Sequence, residues 1–236
     1  MPLNSEGLKD AARVWGAQET RVADLKRLRG IQTIPADLLQ GFCRGVSVAV
    51  RLSDAVIDAI DDRPTPLYQQ HYQIINDLLD QICLKLALLL QEHGAAALPI
   101  PASQLLDCEN YASYISHKAV AVAAGMGWQG KSLLTVHPKF GPRIRLATVL
   151  TNANLDPDKP LKNRCGGCDA CAAACPAKAI KNANTDSHYA SRDEALYFER
   201  CLHHLLHTCK KLPHITSSIC GVCIKVCPWG KVTKSP

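Results

Sequence analysis

The sequence predicts an α+β chain, with an α/β domain over residues 1–158 and a small cysteine-rich module over residues 159–236. Three observations carry that expectation. Apolar residues in the first part recur with both the two-residue period of strands and the 3.6-residue period of helices. Nine of the twelve cysteines lie between Cys165 and Cys227. Charge changes at the same boundary: residues 1–158 hold 15 basic and 16 acidic residues, residues 159–236 hold 12 and 5. At 236 residues and 47% hydrophobic, the chain can bury one good core plus an appended module.

In chain order, residues 6–29 place charged and apolar positions at helical spacing and read as a surface helix. Residues 45–52 (GVSVAVRL) put Val46, Val48, Val50 and Leu52 on one face with small Ser47 and Ala49 opposite, an internal strand. Thr65 and Pro66 supply an N-cap and a first-turn proline for a long helix ended by Gly94. Its core stripe is Ile74, Ile75, Leu78, Leu79, Ile82, Leu86, Leu89 and Leu90. A further helix over 111–124 closes at Gly125, and residues 125–131 (GMGWQGK) form a glycine-rich turn. Strands follow at 133–136 and 143–151, and the polar, proline-bearing segment 152–163 suits a linker.

The longest uncharged apolar stretch, residues 119–128, is far short of a membrane span. The first ten residues lack the apolar core of a secretory signal. A reducing, cytoplasmic location is the expectation, which makes a disulfide framework a poor account of so many cysteines. Cys43, Cys83 and Cys108 read as small buried hydrophobes.

The clustered nine have metal-ligand spacing. Cys165, Cys168, Cys171 and Cys175 with Pro176 form C-x2-C-x2-C-x3-C-P, and Cys220, Cys223 and Cys227 with Pro228 repeat it with one cysteine missing. Three thiolates of the first pattern wrap one 4Fe–4S cluster while the fourth serves a second cluster. Small residues between the ligands let the backbone close around it. Cys201 is the candidate for the missing ligand. The crossed, ferredoxin-like assignment is Cys165, Cys168, Cys171 and Cys227 for one cluster, and Cys175, Cys201, Cys220 and Cys223 for the other. Zinc held by C-x2-C pairs is the structural alternative, but zinc sites rarely string four cysteines at this spacing before proline.

Cys209 is left over as a free or buried thiol. His203, His204 and His207 could bind a metal with it, and read more simply as solvated residues beside the cluster. The basic excess of the module reads as compensation for the clusters' negative charge, because no basic stripe interleaved with aromatics appears.

From about residue 111 to residue 230 the sequence resembles the epoxyqueuosine reductases, relatives of the corrinoid reductive dehalogenases. The matching pieces are AGMGWQGKSLL (124–134), the strand end VLTN (149–152), the run CGGCDACAAACPAKAI, the isolated Cys201 after Glu199 and Arg200, and the closing CGVCIKVCPWG. The resemblance implies a nitroreductase-like α/β domain that binds cobalamin, with the two-cluster ferredoxin-like module packed over it. Electrons from an external ferredoxin- or flavodoxin-type donor would pass through the clusters to the corrinoid. The 125–131 loop would then lie at the corrinoid, with Gly127 and Gly130 allowing close approach, Trp128 offering a flat surface and Lys131 a cation. Read without the resemblance, the loop is a helix C-cap followed by a packed tryptophan.

Tyr111 falls at the position of the family's acidic proton donor, with Asp107 and Glu109 nearby. The sequence ends nine residues after Cys227, whereas tRNA-reading members commonly continue, so a tRNA substrate is the weaker expectation. Two functional readings follow: a corrinoid-dependent reductase wired through two 4Fe–4S clusters, or an electron carrier or corrinoid-handling partner without turnover of its own.

Overall fold

A computed structural model of the chain describes residues 3–231. Its elements in order are α1 (Ser5–Val14), β1 (Glu19–Asp24), β2 (Arg44–Arg51), α2 (Asp54–Asp58), α3 (Pro66–Glu92), β3 (Ala97–Ile100) and α4 (His117–Ala123). They continue with β4 (Trp128–Gln129), β5 (Thr135–Val136), β6 (Ile144–Thr151), α5 (Ala170–Ala174), α6 (Arg192–Ala195), α7 (Phe198–His207) and α8 (Val222–Val226). The residues group into two compact units. One holds 3–50, Ile75–Gly127 and Arg145–Leu161; the other holds Arg51–Ile74, Trp128–Ile144 and 162–231.

The first unit is built on a four-stranded sheet in the order β1-β2-β6-β3, with β1 antiparallel to β2 and β3 antiparallel to β6. As expected, β2 is internal and buried on both faces. Small residues make this workable: a Cβ on Gly45 would sit 2.9 Å from Val120 Cγ1, so glycine lets α4 approach the strand. Val120 packs there with Leu25, Leu28, Ile100, Ala123 and Leu150.

Several expected boundaries are corrected. The surface helix over 6–29 ends at Val14, where Gly16 turns the chain at φ +109°, and residues 19–24 form an edge strand. Their burial pattern favours period two, with Thr20 and Val22 inward and Glu19 and Arg21 less buried, and pairing with β2 decides the conformation. The long helix starts and stops as expected, with the Tyr68 amide donating to Thr65 Oγ1 (3.1 Å) and Gly94 at φ +80°. Ile74, however, is 53% exposed and leaves the core stripe. Cys83 is buried, whereas Cys43 and Cys108 are exposed.

The helix expected from residue 111 begins at His117, capped by Ser116. Upstream, the Asp107 carboxylate accepts from the amides of Glu109 and Asn110, both at 2.9 Å, and Tyr111 takes φ +50°. That local turn outcompetes a helical continuation. His117 itself is enclosed, its ring bonding Thr148 Oγ1 (2.8 Å) and the Pro101 carbonyl (3.0 Å). Because a carbonyl only accepts, Nε2 carries the proton and Nδ1 accepts from the Thr148 hydroxyl. Burial pushes its pKa down to about 4.

Segment 152–163 lacks regular structure, as a linker would, yet its first part is tied down. Asp158 accepts from the Val22 amide (2.8 Å) and from Lys9 Nζ (3.0 Å). The Arg27 guanidinium donates to the carbonyls of Ala123 (2.9 Å) and Asp158 (2.6 Å).

In the second unit, β4 and β5 pair as a short hairpin, so Trp128 and Gln129 of the expected turn are strand residues. Arg143, 1% exposed, is neutralised by Asp54 Oδ1 (3.0 Å) and Asp58 Oδ1 (2.6 Å) at α2. The helices α5 and α8, which carry the two cysteine runs, pack on each other.

Candidate iron–sulfur centre

Each cysteine run is held by side chains outside it. Before the first run, Asn163 acts as a clamp: its Oδ1 accepts from the Cys165 amide (2.8 Å), and its Nδ2 donates to the carbonyls of Gln129 (2.9 Å) and Thr185 (2.8 Å). Gly166 follows at φ +52°, a backbone state that side chains disfavour, and turns the chain toward Cys168. Before the second run, Gln69 of α3 accepts from the amides of Thr216 (3.2 Å) and Ser217 (2.9 Å), fixing the approach to Cys220. Gly221 sits at φ +88°, and a Cβ there would lie 2.5 Å from Ile60 Cδ1 and 2.9 Å from Tyr68 Cε1. Glycine between Cys220 and Val222 is therefore required twice over, by conformation and by space.

None of the nine clustered cysteines is in a disulfide. Burial pushes the Cys227 thiol up to about 11, and the neighbouring Cys165, Cys171 and Cys168 push it the same way. Burial likewise raises Cys171, helped by Cys165 and Cys168. Cys223 is raised by burial, then by Cys220, Cys201, Cys171 and Cys175. Cys227 thus has neighbours in the first run, and Cys223 has neighbours in both, Cys171 and Cys175 of the first run among them. Thiols crowded this way repel as thiolates unless a cation shared among them offsets the charge. The donor set, all sulfur with small residues between, fits iron–sulfur clusters.

The 125–131 loop serves the first group. Trp128, 1% exposed, points its indole Nε1 at Cys165 Sγ (3.4 Å) and meets Trp229 edge-on, ring centroids 4.8 Å apart. Buried Lys131 donates from Nζ to the Cys168 carbonyl (2.9 Å). A Cβ on Gly130 would meet Val136 Cγ2 at 2.7 Å, so that glycine answers the packing of β5. Gly125 caps α4 at φ +74° in the first unit, where Gly127 is also buried. The indole and the ammonium are committed to the cysteine run, a role the spacing did not signal. Tyr111, in the first unit, is half-buried in the turn described above.

Around the second group, the Ala179 amide donates to Cys175 Sγ (3.4 Å). Cys209, left over in the sequence, is fully buried, and its sulfur lies with Cys220 Sγ and a His204 ring nitrogen within 4.8 Å of one another. Its proton is held in a bond to Cys220, which raises Cys209 and lowers Cys220. Of the three histidines, His204 is the one beside the sulfurs; His203 and His207 face each other with ring centroids 4.5 Å apart.

Residues 164–230 match the family described as "4Fe-4S double cluster binding domain". The chain is 34% identical over 125 residues, 50% of its length, to an epoxyqueuosine reductase of Bacillus cereus, covering 30% of that protein. It is 38% identical over 121 residues, 48% of its length, to a tetrachloroethene reductive dehalogenase of Dehalobacter restrictus, covering 22% of it. The chain thus matches about a third or less of these curated relatives' length. Among solved structures, a catabolic reductive dehalogenase in complex with 3-bromo-4-hydroxybenzoic acid superposes with TM-score 0.75 at 18% identity, over 96% of this chain and 32% of that one. An epoxyqueuosine reductase from Streptococcus thermophilus superposes with TM-score 0.59 at 16% identity, over 97% and 66%. The mixed helix-and-sheet fold is shared with both, no described helix is long and apolar enough to cross a membrane, and the chain is similar over about half its length to epoxyqueuosine reductases and reductive dehalogenases, with residues 164–230 matching a 4Fe–4S double-cluster domain.

Proposed function

We propose that this chain moves electrons through two 4Fe–4S clusters to a corrinoid that reduces a substrate, in the manner its relatives' names suggest. Cys165, Cys168, Cys171 and Cys227 would hold one cluster and Cys175, Cys201, Cys220 and Cys223 the other, with residues 159–236 as the electron-carrying domain. The observation that carries this reading is the grouping of thiols: Cys227 lies near Cys165, Cys171 and Cys168, and Cys223 lies near Cys220, Cys201, Cys171 and Cys175. Clusters so placed supply one-electron transfer. The chain's own residues hold the ligands in place, through Asn163, Gln69 and Gly221, and donate hydrogen bonds to the sulfurs, through Trp128 and the Ala179 amide.

A corrinoid is supported by kinship with reductive dehalogenases, one of them described as suggesting a mechanism for B12-dependent dehalogenation. In our reading the α/β part, nitroreductase-like, would hold it, with Gly127, Trp128, Gly130 and Lys131 as the nearest loop and Tyr111 as proton donor. The Lys131 ammonium is already bound to Cys168, so that loop would meet a corrinoid through its backbone. This commitment of Trp128 and Lys131 to the cysteines also favours a second reading, an electron carrier or corrinoid-handling partner without turnover.

A reducing, cytoplasmic location would suit nine clustered cysteines outside any disulfide. A tRNA substrate has a precedent in an epoxyqueuosine reductase crystallised with an epoxyqueuosine-modified tRNA stem loop. Anaerobic reconstitution with iron and sulfide, then titration with cob(II)alamin followed by EPR, tests the reading. A changed cobalt signal supports corrinoid binding, substrate turnover then separates the reductase from a corrinoid-handling partner, and an unchanged signal with full iron leaves the electron carrier.

A further inference from the structure

The second unit carries an outward-facing patch that the cluster chemistry leaves unused. Tyr197, at the head of α7, is 49% exposed, a high value for an aromatic side chain. Its carbonyl accepts from the Cys201 amide (3.4 Å), so the ring stands one helical turn before that cysteine. Lys181 Nζ lies 4.7 Å from the ring centroid and Arg200 Cζ lies 4.4 Å from it. Arg200 Nη1 also reaches the backbone carbonyl of Lys178 (3.4 Å), an exposed residue whose ammonium donates to the Ala173 carbonyl (3.3 Å). A cavity of about 470 Å³ borders it, lined by Ala177, Glu199, Arg200, His203, His204 and Thr208.

Cations that compensate a cluster's charge act best when buried beside it, because water and salt screen exposed ones. Lys178, Lys181 and Arg200 are all exposed, and Lys181 and Arg200 flank an aromatic ring. Tyrosine and arginine are the residues enriched where proteins meet, and surface cations speed encounter with an acidic partner. Resting on the electron-transfer reading above, we propose that Tyr197, Lys178, Lys181 and Arg200 form the docking surface for a small acidic electron-carrier protein. The donor gives one electron, and the cluster held in part by Cys201 accepts it. An electron passing between proteins needs the donor's centre close to the acceptor, and this patch is one turn of α7 from Cys201. Lys181 lies 16 residues before Tyr197, so the basic and aromatic residues of the patch show no stripe along the chain.

The test uses the full chain reconstituted anaerobically, with reduction followed by stopped flow from two donors: a reduced acidic flavodoxin and the small photoreductant deazaflavin. In Lys181→Glu/Arg200→Glu the flavodoxin rate should fall at least tenfold at low ionic strength, with iron content and the deazaflavin rate unchanged. In the unaltered protein the flavodoxin rate should fall as salt is added. An equal flavodoxin rate in variant and parent overturns the proposal, as does loss of RNA stem-loop binding with the flavodoxin rate kept. Should the double variant lose iron, Lys178→Glu is judged by the same two rates. A parent protein that takes up no iron overturns both this inference and the electron-transfer reading, whereas a normal deazaflavin rate with a flavodoxin rate indifferent to charge overturns this one alone.

Discussion

Replacing Trp128 by Phe removes one N–H and keeps an aromatic ring beside Trp229. The indole of Trp128 is 1% exposed and its Nε1 stands 3.4 Å from Cys165 Sγ, with Arg164 Cζ 5.7 Å from the ring. A hydrogen bond to a charged acceptor contributes about 1.5–3 kcal/mol. The bond stabilises the reduced cluster more than the oxidised one, because reduction adds negative charge to the sulfurs. A differential of roughly half the lower figure, ~0.8 kcal/mol, corresponds to a potential about 35 mV more negative, at 59 mV per tenfold for one electron. The assay is an EPR-monitored redox titration of the reconstituted protein, with iron content measured on the same sample. One cluster should shift negative by this order while the other stays in place. Full iron with both potentials unchanged would refute the claim that this bond acts on the cluster.

Two further predictions test positions in the scaffold. His117 has its folded pKa depressed to about 4 by burial, so its contribution to stability is fully present above its ordinary value of 6.5 and is lost as pH falls toward 4. Between pH 7.5 and 4.5 that loss is about 2.5 kcal/mol; urea unfolding of the full chain should show it, and His117→Gln, which keeps a donor and an acceptor, should flatten that part of the slope. Gly221→Ala must place a Cβ 2.5 Å from Ile60 Cδ1 at φ +88°, so a loss of about 2–4 kcal/mol is expected. Thermal melts and iron counts should show both a lower midpoint and poorer occupancy of the second cysteine group, and a parent-like variant would contradict the steric account.

The cysteine spacing made the site legible because ligand geometry is local: two residues between thiols set their reach regardless of the surrounding fold. The long helix was legible for a similar reason, since Thr65 and Pro66 start α3 and Gly94 follows its end. Residues 19–24 were not, because their conformation is decided by pairing with β2, a partner some 25 residues away in sequence. The turn around Asp107 hid in a stretch that continues naturally into α4, and its cause is a side chain bonding its own backbone. The supports of the centre were equally hidden. Gln69 lies 148 residues from Ser217 and Asn163 lies 34 from Gln129, separations at which no spacing rule operates. Trp128 stands out in the sequence but its partner does not: the indole meets a cysteine sulfur 37 residues away.

The central claim is that eight cysteines in crossed groups hold two clusters while Cys209 stands beside the second group without serving as a ligand. Iron and acid-labile sulfide counts on anaerobically reconstituted parent, Cys201→Ala and Cys209→Ala proteins test it directly. The account predicts about eight irons in the parent and in Cys209→Ala, and about four in Cys201→Ala, with one EPR-active cluster remaining. Four irons in Cys209→Ala with eight in Cys201→Ala would contradict the assignment of the fourth ligand, and about two zinc ions with no iron would contradict the electron-transfer account itself.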